Sequence, residues 1–91
     1  MGGANIDFGG ALAALRLGKR VRRTGWNGQG MYLYLVSANR YPPSTEIARK
    51  EFGDMVPYQA YIAIKTAQKT CVPWVASQTD LLEQDWEVIE D

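Results

Sequence analysis

Apolar residues recur along this chain with two periods, and the change of period marks the elements. Phe8, Ala11, Leu12 and Leu15 fall at i, i+3, i+4 and i+7, one apolar helix stripe, so residues 8–17 read as a helix. Asp7 stands where a side-chain oxygen caps the first turn, and Gly18 is the expected stop. From residue 19 the period shortens to two. KRVRR (19–23) reads as a short strand with Val21 inward and Arg20 and Arg22 outward. MYLYLV (31–36) puts Met31, Leu33 and Leu35 on one face and Tyr32, Tyr34 and Val36 on the other. A strand apolar on both faces calls for cover on both. In so small a protein, another copy of the chain is a candidate for the second cover.

GWNGQG (25–30), with three glycines, reads as the turn between these strands. Residues 37–57 follow neither period. Pro42 and Pro43 stop any helix, and STEIARKEFG predicts a short one with Ser44 as cap and Gly53 as stop. The rest of that segment is expected to be irregular, and a long irregular stretch is commonly functional or mobile. YQAYIAIKTA (58–67) returns to period two, with Tyr58, Ala60, Ile62 and Ile64 on one face. AQKT reads as a hairpin turn, and TCVPWVA (70–76) pairs back with Pro73 on an edge or at a bulge. Ser77 and Asp80 have capping-box spacing ahead of Leu81 and Leu82, predicting one or two helical turns within 77–84. DWEVIE (85–90) is a last strand, with Trp86 and Val88 facing one way. The expected architecture is α+β: an antiparallel sheet of about five strands, an N-terminal helix and short helical insertions. It is one domain over 1–91 with a loose start at 1–5, assembling as a homo-oligomer.

Composition narrows the function. Ten acidic and ten basic residues give zero formal net charge, which argues against salt-driven binding to nucleic acid or membrane. Neutrality also weakens repulsion between copies. The charge is nevertheless segregated: KRVRR is basic and DLLEQDWEVIED (80–91) is acidic. With 91 residues the chain buries only about 60–65% of its unfolded surface, so self-association would help it. A single cysteine, Cys71, rules out an intrachain disulfide and suits a reducing, cytosolic setting. On a strand its default is a buried, inert thiol. No apolar run approaches the roughly 18 residues of a membrane span, and MGGAN lacks the features of a signal peptide.

The absence of histidine removes the usual general base and the Ser–His and Cys–His pairs, and leaves no zinc-ligand set. Asp80, Glu83, Asp85 and Glu87 are the remaining acid/base candidates, as in a metal-assisted hydrolase, against the plainer reading of a solvated acidic face. GWNGQG lacks the Gly-Lys-Ser/Thr ending of a phosphate loop and leads into a strand, so that reading fails. No cofactor is expected. Binding fares better. A nucleotide-like ligand needs an aromatic face, cationic or N–H groups for phosphate, and hydroxyl or amide groups for ribose. Trp26 with Asn27, and Trp74 with Ser77, Gln78, Thr79 and Asp80, supply the first and third. Arg20, Arg22 and Arg23 supply the second. The competing reading makes Trp26 and Trp74 core anchors, Ser77 a helix cap and the arginines a solvated strand exterior. Trp86 alternates with Val88 and is assigned to the core; Tyr32 and Tyr34 are assigned to packing or an interface.

Two blocks carry a resemblance. DFGGALAALRLGKRVRRTGWNGQGMYLYLV and VPWVASQTDLLEQDWEVIE are similar to a family of small phage and prophage proteins. These open F-x-x-A-L-x-x-L-x-x-G-K-x-V-x-R-x-G-W-N-G-x-G-M and close V-P-W-x-x-S-Q-x-D-x-L-x-x-D-W. Once a domain of unknown function, it is identified with the second Thoeris anti-defence family. The blocks cover about half the chain, and 37–57 is not part of the match. The resemblance implies a non-enzymatic sponge in the cytoplasm of the infected bacterium. It would hold glycocyclic ADP-ribose, the signal made by a TIR-domain enzyme, in pockets between protomers of a homotetramer. Some members also bind CBASS cyclic dinucleotides at separate sites. On the matching positions, one tryptophan would stack on adenine and Asn27 and Asp80 would bind ribose hydroxyls. Arginine from 20–23 with backbone N–H groups would take the pyrophosphate. Nanomolar capture needs about −12 kcal/mol, and a ligand of ~35 heavy atoms at ~0.3 kcal/mol each supplies ~10, so near-complete enclosure is required. The alternative is a protein–protein interaction module that inhibits a host defence protein directly through the tyrosine-rich strand.

Overall fold

Asp7 opens the first helix: its carboxylate accepts the Gly10 N–H at 2.9 Å. The helix, α1 (Phe8–Arg16), ends where Gly18 takes φ +84°, a left-handed conformation that glycine adopts without strain. In the computed structural model, which describes residues 5–26 and 30–90, β1 (Arg20–Arg23), β2 (Tyr32–Val36) and β3 (Asn39–Tyr41) come next. Then follow α2 (Glu46–Phe52), β4 (Val56–Tyr58), β5 (Tyr61–Lys65), β6 (Cys71–Pro73), α3 (Gln78–Leu82) and β7 (Trp86–Ile89). The start at 1–4 and the residues Asn27, Gly28 and Gln29 lie outside the described residues.

The main sheet is antiparallel with order β6-β5-β2-β1-β7. Its register aligns one residue from each strand into a single apolar row: Val72, Ile64, Leu33, Val21 and Val88. That row faces α1. Ala11 and Ala14 are small enough to bring the helix close, and Leu15 from the helix is fully buried with Val21, Leu33 and Trp86 beneath it. The outer edge of β7 is closed by Ile6, whose N–H and C=O both pair with Trp86. Pro73 lies on the edge strand β6, where its missing N–H costs no ladder bond. Ser77 and Asp80 form the expected reciprocal capping box.

Four expectations change. Segment 37–57 is not an irregular insertion: β3 and β4 pair into their own two-stranded sheet, with α2 packed on β4. Its strands are too short for alternation to reveal them. The cap of α2 is Thr45, whose Oγ1 accepts the Ala48 N–H, not Ser44. Tyr58 belongs to β4, so β5 begins only at Tyr61 and Ala60 lies between strands. Cys71 is exposed rather than buried, because β6 is an edge strand with all three residues open to solvent.

The small β3–α2–β4 unit packs on itself and extends the molecule to 50 × 28 × 25 Å. The radius of gyration, 15.6 Å, exceeds the ~12 Å of a compact chain this long. On the face of the main sheet opposite α1 lie Arg20, Tyr32, Tyr34, Tyr61 and Cys71, and among the described residues no helix is packed across them. Arg20 Cζ sits 5.0 Å from the Tyr32 ring centre. Cys71 Sγ lies 2.8 Å from the Tyr34 hydroxyl, which pushes that phenol up to about 12. Among the described residues, no helix is long and apolar enough to cross a membrane.

Neighbouring leucines separate packing from propensity. Leu15 is 0% exposed and Leu17 75%. Leu15→Ala is expected to cost about 2–5 kcal/mol in urea unfolding, and Leu17→Ala within about 0.5. Similar losses at the two positions would contradict this core.

Candidate ligand-binding site

The three tryptophans form one cluster. Trp86 is completely buried at its centre and donates its indole N–H to the Asp80 carbonyl at 2.8 Å. Trp26 meets it edge-to-face at 5.5 Å between centroids, Trp74 does so at 5.9 Å and Phe8 at 5.3 Å. Phe8 also lies 5.7 Å from Trp74. Each such pair contributes about 0.5–1.5 kcal/mol beyond its buried area. Trp26 and Trp74 are thus anchored on one side while remaining only half-buried. The core-anchor reading describes the side of each indole that meets Trp86, and the rest of each ring is partly open.

Arg23 ties the cluster to the chain around it. Its Nε donates to Asp85 Oδ1 at 2.8 Å and its NH1 to Asp80 Oδ1 at 2.9 Å. The other Asp80 oxygen accepts the Ser77 N–H, and Ser77 Oγ accepts the Asp80 N–H. Hydrogen bonds to Asp85 first, then Asp80, push the Arg23 guanidinium above its ordinary value. Burial pushes the Asp80 carboxyl up, but the Ser77 N–H and the Arg23 fork outweigh it and hold the group below the usual aspartate value. Asp85 is held below that value chiefly by Arg23.

Beside this network, Arg22, Arg23, Thr24, Trp26, Met31 and Glu87 line a cavity of about 260 Å³. Arg22 Nε donates to Glu87 Oε1 at 2.7 Å and the arginine is otherwise half open. Of the residues singled out in the sequence, the cavity therefore unites Trp26, Arg22 and Arg23. Asn27, next to Trp26, lies outside the described residues. Trp74 stands on another side of Trp86. Ser77, Gln78 and Thr79 cap or begin α3 with exposed side chains, and Asp80 reaches the cavity through Arg23 alone. Arg20 is on the outer sheet face over Tyr32. Thr24 and Met31 were not singled out as ligand residues, and Glu87 was named only as an acid/base candidate. The signal for Glu87 is the pairing Arg22↔Glu87, which becomes visible only once the β1–β7 register is known.

Chemically, the cavity offers an indole face and a guanidinium, the pair a nucleobase and a phosphate use. Its ~260 Å³ falls short of the roughly 300–1,000 Å³ of small-molecule pockets. Among the described residues no group of three or more His, Cys, Asp or Glu is placed to hold a metal ion.

Residues 6–89 match the model of the Thoeris anti-defense 2-like domain, Tad2-like. The chain belongs to that family. It is also 37% identical over 84 residues to Thoeris anti-defense 2 of Bacillus phage SP01, across 92% of this chain and 94% of that protein. The family match spans the β3–α2–β4 unit as well as both motif blocks.

The Arg23 fork has a pH signature. Asp80 and Asp85 have folded-state values below their unfolded ones, so their contribution is complete above about pH 5 and is lost as pH falls through the unfolded value of ~3.9 toward the folded ones. Arg23→Met is expected to cost about 1–3 kcal/mol at neutral pH and to flatten the loss of stability between pH 5 and 2. Urea midpoints at a series of pH values measure both; an unchanged acid limb would contradict the assignment.

Proposed function

We propose that this protein is an anti-Thoeris sponge that binds cyclic ADP-ribose-type signals, glycocyclic ADP-ribose among them, and holds them without cleavage in the cytoplasm of an infected bacterium. The carrying observation is the cavity that sets the Trp26 indole beside the half-open Arg22 guanidinium. The base would stack on the indole, and the pyrophosphate would be drawn to Arg22. Arg23, committed to two aspartates, would shape the wall rather than clamp the ligand. The similarity to Thoeris anti-defense 2 of Bacillus phage SP01 supports the biological role.

Two further features support holding over cutting. The carboxylates nearest the cavity are all engaged in ion pairs, Asp80 and Asp85 with Arg23 and Glu87 with Arg22, so none is left free to act on a ligand as a general acid. The chain has no histidine to replace them. Enclosure would come from copies of the chain, in a homotetramer with pockets completed between protomers. The open tyrosine-rich sheet face and the undersized cavity both favour that assembly. Cyclic dinucleotides of CBASS defence would occupy separate sites.

The test mixes the purified protein with glycocyclic ADP-ribose, removes free ligand and denatures the complex. Intact ligand is expected at one to two equivalents per tetramer, with a sizing column run alongside. Trp26→Ala is expected to weaken binding by at least about fivefold, the low end of a stacked base. Absence of bound ligand, or recovery of a degraded product, would falsify the sponge. Capture of one stoichiometric host protein without any small molecule would favour the interaction module instead.

A further inference from the structure

The walls of the Trp26 cavity hang from different strand pairs. Arg22 and Arg23 come from β1, and Glu87 from its partner β7. Gly30 and Met31, just before β2, supply another part of the lining. β2 pairs with β5 along its whole length, from Tyr32 with Lys65 to Val36 with Tyr61. Its register with β1, among the described residues, is the one pair Leu33 with Val21. The Gly30–Met31 part of the cavity therefore takes its place from β5 rather than from β1.

The last residue of β5 reaches back to that wall. Lys65 Nζ donates to the Gly30 carbonyl at 3.0 Å. It also stands 5.7 Å from the centre of the Tyr32 ring, its cross-strand neighbour, which attracts a cation to that place. Gly30 suits the contact in two ways. Its φ of +76° strains any residue with a Cβ. A Cβ there would also lie 3.1 Å from the ammonium nitrogen. Lys65 does not line the cavity itself; it holds backbone that does. At the start of the β1–β2 connection, Asp85 accepts the Thr24 N–H on its backbone carbonyl at 2.9 Å and the Gly25 N–H on its carboxylate. Trp26 follows directly. The connection is thus pinned by an aspartate where it leaves β1 and by an ammonium where it enters β2.

We propose that Lys65 is a positioning residue for the Trp26 cavity: it fixes the Gly30 carbonyl and so sets the opening in which the Trp26 indole and the Arg22 guanidinium meet a ligand. Its effect on the cyclic signal rests on the sponge reading; its effect on the cavity does not. Arginine keeps the charge and a donor at similar reach and substitutes for Lys65, whereas methionine keeps only an apolar stem and does not.

The experiment compares wild type, Lys65→Met and Lys65→Arg in two ways: amide and indole NMR of the free protein, and calorimetric titration with glycocyclic ADP-ribose. In Lys65→Met the Met31 amide, which shares its peptide group with the Gly30 carbonyl, and the Trp26 indole N–H are expected to shift. The Trp86 indole N–H, bonded to Asp80 in the core, is expected to stay in place. Affinity is expected to fall about fivefold, the loss of one exposed hydrogen bond. Lys65→Arg is expected to remain within about twofold of wild type. Lys50→Met, which removes a charge from α2 outside the cavity, is the control and is expected to change affinity by less than about twofold. Weaker binding by Lys65→Met without any shift at Met31 or Trp26 in the free protein would mean that the lysine touches the ligand directly, and would overturn the positioning role. Wild-type signals together with wild-type affinity in Lys65→Met would overturn it too. If Lys65→Met does not fold, wild type decides: a nuclear Overhauser contact between the Lys65 ε-methylene and the Gly30 α-protons is expected, and its absence removes the pin. Failure of wild type to take up the cyclic ligand strikes the sponge instead, and the free-protein shifts then judge Lys65 by themselves.

Discussion

Burial of the Trp86 indole is the constraint on which the rest of the structure depends. A side chain this large can be fully covered in so small a domain only if several elements converge on it. Phe8 comes from α1, Trp26 from the turn after β1 and Trp74 from the segment after β6. Covering the ring also removes water from its N–H, and an unpaired buried donor costs about 1–3 kcal/mol. The Asp80 carbonyl meets that need, which draws the capped turn of α3 down onto the cluster. The tryptophans nearest the candidate site owe their positions to a ring that takes no part in it.

Charge segregation along the chain follows from the same arrangement. β1 runs antiparallel to β7, which sets the basic run beside the acidic end: Lys19 faces Glu90, Arg22 faces Glu87 and Arg23 faces Asp85. The opposite charges neutralise each other locally rather than forming a basic surface for one partner and an acidic surface for another. The consequence for the site is a division of labour between adjacent arginines. Arg23 is forked between two aspartates and holds the scaffold, while Arg22, on the opposite face of the strand, has one carboxylate partner among the described residues and greater exposure.

A single nine-residue helix covers one face of a five-stranded sheet, and that asymmetry shapes the surface. One face makes the core; the other carries tyrosines, two arginines, a lysine and the only cysteine. The β3–α2–β4 unit adds surface faster than it adds core, with Val56 its one buried apolar residue among those described and Ile47 and Phe52 exposed. Both features give the molecule more apolar surface than its own fold covers, the condition under which association of copies stabilises a small domain.

The sequence by itself determined the elements whose signals are local. The helix stripe at 8–15, the Asp7 cap, the Gly18 stop, the Ser77–Asp80 capping box and the alternation in β2 depend on neighbours within a few residues, and all five stand. So does the assignment of Trp86 to the core, because alternation with Val88 needs only a period of two. The two motif blocks carried the family in the same way. What only the tertiary structure decided required partners far apart in the chain. The pairing of β3 with β4 joins strands of three residues each, too short to show a period. The exposure of Cys71 follows from the order of strands rather than from its own strand. The commitment of Arg23 to Asp80 and Asp85 spans 57 and 62 residues, and the contact of Lys65 with Gly30 spans 35. Residue type announces what a side chain can do. Register and strand order, which are long-range properties, decide which partner it finds and whether it remains open to a ligand.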